Sequence, residues 1–346
     1  MTPTRIALVG TGFYAQNHLN AWRDLAPEGA ELVAVCDLDA AKAERAGQEF
    51  GARAYVDFGE MLARERPDVV DIVTQMRAHR VLVEAAAAAS VGIIVQKPLA
   101  PSWEDCVAIA EAVTAAGVFF AVHENFRFQT PMRRVGALIG KGVIGRPSFG
   151  RISFRTGFDV YRTQPYFLTE PRLAILDVGI HVLDLARAFL GEVERISCET
   201  QARKQGIAGE DTATMLLRHE SGAVSVVDCT YAARRQPDVF PETLLEIEGE
   251  TGSLAMAPGC RLAVTSDGLA WTEDAGAPLL AWTERPWHVS QEGVFGACRH
   301  FLASFRAGRR PETDAADNLA TYALVEAAYA AAESGRAVAP RRWAPA

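Results

Sequence analysis

No stretch of this 346-residue chain approaches the roughly 20 consecutive apolar residues that carry a helix across a bilayer. No membrane partner is therefore expected. Basic tracts are lacking too: Arg133-Arg134 and Arg234-Arg235 stand as isolated pairs, and the formal net charge is -8. Such a chain repels nucleic acid and anionic lipid, so nucleic acid is not an expected partner either. The six cysteines, at positions 36, 106, 198, 229, 260 and 298, include no Cys-x-x-Cys pair, and the seven histidines show no metal-ligand spacing. Most of the cysteines lie in apolar runs. That reads as reduced, buried thiols in a cytoplasmic protein, with no metal required. The first apolar stretch, Ile6-Ala7-Leu8-Val9, runs straight into glycines, so no signal peptide is expected. Internal repeats and low-complexity linkers are also missing. What remains is globular composition, 49% hydrophobic and 23% charged, on a chain long enough for two domains.

The most informative segment is the first. Arg5 to Val9 reads as a strand and leads directly into Gly10-Thr11-Gly12-Phe13-Tyr14-Ala15 and a helical pattern. Gly10 permits a tight turn. Gly12 lets the backbone approach a pyrophosphate, and Ala15 lets the helix pack close to the strand. The helix N-terminus would offer N–H groups to the phosphates. A second apolar run, Glu31 to Cys36, ends in Asp37, at the distance where a carboxylate accepts hydrogen bonds from the adenosine ribose hydroxyls. A dinucleotide is the expected cofactor, with Gly10, Gly12, Phe13, Tyr14, Ala15 and Asp37 as contacts.

Strand and helix patterns alternate to about residue 123. Helices are expected over Ala40–Phe50 (closed by Gly51), from His79 to Ser90 and from Ser102 to Ala116, with strands at 69–73, 92–95 and 118–122. This predicts an α/β domain with a parallel, doubly wound sheet, the Rossmann arrangement, over residues 1–124. The pattern then changes. Thr130-Pro131 opens a helix, and strands follow at 148–156, 194–201, 211–219, 223–231, 243–249 and 261–266. Glu220-Ser221-Gly222 reads as a hairpin turn. Helices are expected at 181–190, 292–306 and 315–334. Residues 125–346 are thus expected to form an α+β domain with a large, mostly antiparallel sheet, for substrate binding and oligomerisation.

Two constellations bear chemistry. Lys97 ends a parallel strand, where ligands bind in open α/β sheets, and Pro98 follows it. A lysine there is usually only a solvated charge. Asp177, His181 and Asp184 would share one face of a helix, with Val182, Ala186 and Phe189 opposite in the core. A carboxylate one turn from an imidazole can orient a general base. Spacing alone fits an N-capping Asp177 and a satisfied buried histidine better.

Taken together, Gly10-Thr11-Gly12-Phe13-Tyr14-Ala15, Asp37, Gln96-Lys97-Pro98, Asp177-x-Gly-x-His181-x-x-Asp184 and Gly249-Glu250-Thr251-Gly252 resemble the Gfo/Idh/MocA family of NAD(P)-dependent sugar and cyclitol oxidoreductases. The resemblance covers nearly the whole chain. It implies Lys97 near the nicotinamide, Asp177 as a substrate-binding carboxylate and His181 as catalytic base, and it implies a cis Lys97-Pro98 bond. Gln96 departs from the usual glutamate, which puts the tuning of Lys97 by a carboxylate in question. The activity implied is NAD-dependent oxidation of a secondary hydroxyl on a polyhydroxylated small molecule. An NAD-retaining glycoside hydrolase and a non-catalytic dinucleotide sensor are the alternatives.

Weaker candidates complete the set. Thr74, with Gln75 and Met76, and His79 resemble a cofactor-contacting segment, and Gln96 adjoins it. Asn125 and Arg127, with Glu124, follow the last strand of the first domain and are candidates for substrate or cofactor. Tyr166 and Arg172 lie in a loop suited to hydroxyl or carboxylate recognition, although a plain surface loop fits equally well. Asp37 favours NAD over NADP, with Lys42 near enough to matter. Apolar strands with few helices to cover them predict a homodimer or homotetramer.

Overall fold

The computed structural model of the chain describes residues 2–344. The first sheet has six strands: β1 (Thr4–Val9), β2 (Ala30–Cys36), β3 (Arg53–Tyr55), β4 (Val69–Ile72), β5 (Gly92–Gln96) and β6 (Phe120–His123). They are all parallel, in the order β3-β2-β1-β4-β5-β6. β4 and β5 are buried at every residue, as strands covered on both faces must be. The connecting helices are α1 (Ala15–Asp24), α2 (Ala40–Phe50), α3 (Phe58–Glu65), α4 (His79–Ala88) and α5 (Trp103–Ala116). Asp39 caps α2 by accepting from the N–H groups of Ala41 and Lys42, and Gly51 closes it in the left-handed region. Ser102 caps α5 through the N–H of Asp105 at 3.1 Å. β3 and α3 leave little trace in the sequence. β3 has only three residues, and the short α3 announces itself chiefly by its Asp57 cap.

The second sheet has eight strands, in the order β14-β13-β12-β11-β7-β10-β9-β8. They are β7 (Pro147–Arg155), β8 (Val193–Gln201), β9 (Thr212–His219), β10 (Val224–Thr230), β11 (Leu244–Gly249), β12 (Gly252–Ala257), β13 (Arg261–Ser266) and β14 (Leu269–Asp274). Only β7 and β10 pair in parallel. β12 and β14 extend the sheet beyond the six expected strands. The first is rich in alanine and glycine, which propensity argues against, and the second is an exposed edge without a buried face. Helices α6 (Thr130–Gly140), α7 (Val160–Thr163), α8 (Ile180–Leu190), α9 (His288–Arg306) and α10 (Ala315–Ser334) complete the chain. Among the described residues, no helix is long and apolar enough to cross a membrane. All six cysteines are buried and unbridged.

The compact units are not contiguous in sequence. One contains the residues up to Asn125 together with Val294–Leu319, and the other contains Phe126–Gly293 and Ala320–Arg342. The expected boundary at 124/125 thus lies one residue from the first passage of the chain, but it misses the return of 294–319. That return is fixed by a long-range pairing. Val122 of β6 donates its N–H to the Thr313 carbonyl at 2.8 Å and accepts from the Thr313 hydroxyl at 2.7 Å.

Helix α8 is buried on every side except at Ala188, so it has no solvated face opposite the core residues Val182, Ala186 and Phe189. Its position is set by Asp184, which is fully buried. The Asp184 carboxylate accepts two hydrogen bonds from the Arg127 guanidinium, at 2.7 and 2.5 Å, and one from the Thr321 hydroxyl at 2.9 Å. Burial pushes the carboxyl pKa up, but the Arg127 charge and these donors outweigh it and hold the group below its usual range. A depressed folded-state pKa gives stability that is present above the unfolded value of about 4 and is lost as pH falls through the folded value. Asp184→Ala strands a buried guanidinium. It should destabilise the protein at pH 7 by about 3–5 kcal/mol in urea unfolding, with a smaller acid-induced decline than the parent shows. A loss of only a few tenths of a kcal/mol would mean the pair contributes no more than a surface ion pair.

Candidate functional site

In the first unit, neighbouring strand ends gather the predicted cofactor residues. Val9, Ile72 and Val95 lie in register on β1, β4 and β5. The loops that follow carry Gly10, Thr74 and Lys97. Gly10 has φ +89°, and a Cβ there would stand 2.5 Å from the Val73 carbonyl oxygen and 2.9 Å from the Thr74 methyl. Only glycine fits. A Cβ on Gly12 would meet nothing within 4 Å, which leaves that side of the backbone open for a pyrophosphate. Phe13 is 82% exposed and Tyr14 is also exposed, while Ala15 is fully buried against the sheet. Asp37 follows β2. Its carboxylate accepts from the Thr11 N–H at 2.8 Å, the Thr11 hydroxyl at 3.0 Å and the Asp39 N–H at 2.9 Å. Burial opposes ionisation there, but the Asp39 and Thr11 donors and nearby Lys42 hold the pKa below its usual range. These residues fit a bound dinucleotide.

His79 does not belong to that surface. It is fully buried, with Nδ1 3.1 Å from the Leu99 carbonyl and Nε2 3.1 Å from the Thr74 carbonyl. Burial pushes its pKa down against those carbonyls. The ring ties the Thr74 loop to the segment after Lys97 and does not face a ligand. Lys97 is half-buried, and its bond to Pro98 is cis, as the resemblance implies. Gln96 and Asn125 are both buried. Deeper in this unit, His18, His123 and Cys298 bring ligand-type atoms within 4.8 Å of one another. They come from α1, β6 and α9, so no sequence spacing could reveal them. All three are buried, and burial lowers the His123 pKa to about 3 and raises that of Cys298 far above its ordinary value.

In the second unit, Asp177 and His181 do not share one regular helix. Asp177 lies in a π-helical turn, Ile175–Gly179, which runs into α8. The pitch between Asp177 and His181 is therefore wider than the α-helical one expected, and wide turns of this kind recur at functional sites. The turn is pinned by the buried carboxylate of Glu210, which accepts from the Ile175 N–H at 2.9 Å and from the Tyr329 hydroxyl at 2.7 Å. Gly179 allows the close approach to β10: a Cβ there would stand 3.2 Å from the Ala174 carbonyl and 3.4 Å from the Cys229 sulfur. His181 is 4% exposed, and its ring stacks on Phe126 with centroids 3.8 Å apart. Asp177 accepts a short hydrogen bond from the Tyr231 hydroxyl. Burial and the Asp177 charge push the Tyr231 phenol well up, so it stays a donor.

Tyr231 gives no signal in the sequence, where it is one aromatic after an apolar run. Tyr166 is half exposed, and burial together with the Asp177 charge raises its phenol, which places it in the field of that carboxylate. Asp184 is not available to orient His181, because Arg127 and Thr321 occupy it. Arg127 is accordingly part of the scaffold. Arg172 pairs with Glu326 at 2.5 Å and lies 4.2 Å over the Tyr329 ring, so it too is anchored.

Residues 4–124 match a family described as an oxidoreductase family with an NAD-binding Rossmann fold, and residues 132–255 match the GFO/IDH/MocA C-terminal domain. A D-apiose dehydrogenase of Paraburkholderia graminis is 46% identical over 96% of this chain and 88% of its own length. One from Rhizobium rhizogenes is 44% identical over 98% of both. The crystal structure of an oxidoreductase from Agrobacterium radiobacter, in complex with NAD+, L-tartaric acid and magnesium, superposes with a TM-score of 0.95, at 44% identity and 98% coverage of both chains.

The cofactor is NAD. Asp37 carries a negative charge at the end of β2, and Lys42 lies 3.8 Å from the Asp39 carboxylate. The expected result is a higher kcat/KM with NAD+ than with NADP+, and a narrowed gap in Asp37→Ala. A clear preference for NADP+ would overturn the assignment.

Proposed function

Because the chain belongs to the Gfo/Idh/MocA oxidoreductase family, we propose that it is an NAD-dependent dehydrogenase of a free sugar, with D-apiose the first candidate. The observation that carries this reading is near-full-length similarity to two proteins named D-apiose dehydrogenase. The chemistry follows from the chain's own groups. His181 takes the proton of the reacting hydroxyl, its ring plane held by the stack on Phe126. Its low exposure keeps water from competing. Lys97, at the end of β5, polarises the same oxygen. Asp177 accepts from a neighbouring sugar hydroxyl, while Tyr231 occupies part of its carboxylate and fixes its orientation. Bound NAD+ supplies the hydride acceptor. Positioning and electrostatic terms of this kind each contribute several kcal/mol of barrier lowering in comparable sites.

The second unit also supports self-association. Leu216, Val226, Arg151, Glu246, Ala255 and Ala263 form one continuous row across five neighbouring strand pairings, on the face opposite the buried Leu217, Val227 and Ile152. Leu216 is 52% exposed. An open, partly apolar sheet face fits a homodimer or homotetramer. The unbridged buried thiols suit a reducing, cytoplasmic compartment.

Two measurements test this reading. Light scattering at micromolar concentration should give a multiple of the 37.4 kDa chain mass, and a monomer would end the proposal of self-association. With D-apiose and NAD+, stoichiometric NADH should appear, which separates dehydrogenation from hydrolysis with retained NAD. His181→Ala should lower kcat by about 10² to 10⁴ with NAD+ affinity unchanged. Lys97→Ala should also lose kcat strongly, and Asp177→Asn should chiefly raise KM. Near-parental kcat in His181→Ala would remove histidine from the mechanism and pass the role of base to Lys97. Turnover of myo-inositol but not D-apiose would move the substrate class to cyclitols.

A further inference from the structure

Gln96 is the last residue of β5 and is buried beneath Lys97. Its side-chain oxygen accepts a hydrogen bond from the Lys97 backbone N–H at 2.8 Å. A backbone N–H can only donate, so this contact fixes which way the amide points. The Gln96 NH2 group then faces His18, with the two nitrogens 3.1 Å apart. An amide NH2 also only donates, so His18 Nε2 presents its lone pair. The His18 proton is therefore on Nδ1, which lies 2.8 Å from the Asp71 carboxylate. The Trp22 indole donates to the same oxygen at 2.7 Å. Asp71 is fully buried, and these two donors share one of its carboxylate oxygens. Every hydrogen bond from Asp71 to the Lys97 peptide thus runs in one sense. His18, Trp22 and Asp71 are essentially inaccessible to solvent.

We infer that Gln96 is a positioning residue for Lys97, held by a one-way relay through neutral His18 to the buried carboxylate of Asp71. The inference rests on the role given to Lys97 above. It turns Gln96 from a missing carboxylate into a working part: the amide reads the backbone on one side and a single histidine tautomer on the other. A glutamate at this position would still accept from Lys97. Its second oxygen would face the His18 lone pair, and the repulsion is relieved when His18 takes a proton. The trio would then carry one net negative charge, as it does with glutamine. Methionine, which is close to glutamine in size, can do neither.

The experiment has a spectroscopic arm and a kinetic arm. In protein labelled with ¹⁵N-histidine, without substrate at pH 7.5, His18 should show a protonated Nδ1 and an unprotonated Nε2, with the signal assigned by its loss in His18→Gln. In Gln96→Glu the same ring should become doubly protonated. Gln96→Met should lower kcat with D-apiose roughly 10- to 100-fold, the size of effect that a small misplacement of a reacting group produces. Its NAD+ affinity by titration should stay near that of the parent, and its urea midpoint should fall by no more than two lost buried hydrogen bonds explain. Gln96→Glu should restore most of kcat. A doubly protonated His18 in the parent would overturn the relay. Parental kcat in Gln96→Met, alongside a crippled Lys97→Ala, would overturn the positioning role while leaving Lys97 in the mechanism. If Lys97→Ala is also fully active, the role of Lys97 falls and the positioning role falls with it, and the tautomer result stands by itself. If Gln96→Met fails to fold, the parent's tautomer and the Gln96→Glu variant still decide the relay.

Discussion

The carboxylate of Asp184 has no water to solvate it, and the candidate site in the second unit depends on how that cost is met. Arg127 meets it with two hydrogen bonds and an opposite charge, and Thr321 adds a third. Arg127 belongs to the segment that also supplies Phe126, the ring on which His181 stacks. Thr321 lies on α10 and also accepts from Arg187, one turn along α8. A single ionised group therefore ties α8 to the chain segment that orients the imidazole and to the closing helix. Glu210 does similar work one step earlier, because it holds the start of the turn that carries Asp177. A buried charge of this kind is weak evidence for net stability, since well-packed apolar residues can do as well. Its consequence here is geometrical, because few other arrangements of these segments leave the charge satisfied.

The first unit uses the same physics with a different residue. Asp71 sits inside β4, among otherwise apolar residues, at a position where a parallel sheet calls for a branched hydrocarbon. One of its oxygens accepts from Trp22 and His18 of α1, the helix that follows the glycine turn. The dinucleotide loop and the Lys97 loop are thereby referred to one buried group, the first through α1 and the second through Gln96. Displacing α1 would disturb both loops at once. That coupling gives a physical reason for a charged residue in the middle of a sheet.

Local pattern makes much of this molecule legible. Glycine at positive φ, a carboxylate at the end of β2, capping residues at Asp39 and Ser102, and period-two runs from β7 to β13 are all features that short spans of sequence encode. Legibility ends wherever the partner is distant. His79 reads as a cofactor contact because it opens a helix near the right loop, yet its two nitrogens are consumed by carbonyls at Thr74 and Leu99. Arg127 and Arg172 read as substrate candidates from their place in the chain, and nothing local says that each also pairs with a carboxylate far along it. Tyr231 stays silent, since nothing local says that its hydroxyl will reach Asp177. The expectation for Asp177, His181 and Asp184 presumes an α-helical pitch throughout, and nothing local in the sequence announces the wide turn over Ile175–Gly179.

Asp37 shows how much of a residue's state lies outside its place in the sequence. Position and charge are visible in the sequence, but not that three donors already serve the carboxylate. A carboxylate offers about four acceptor sites. A ribose diol brings two hydroxyl donors, so one of the internal bonds must yield or be shared when the ribose binds. The Thr11 hydroxyl is the natural one to yield, because it can rotate, whereas the Thr11 and Asp39 N–H groups are fixed by the backbone. A 2′-phosphate brings no donor at physiological pH and adds a second anion beside a group that its own surroundings keep ionised. The fold thus holds a negative charge ready at the end of β2 before any cofactor arrives.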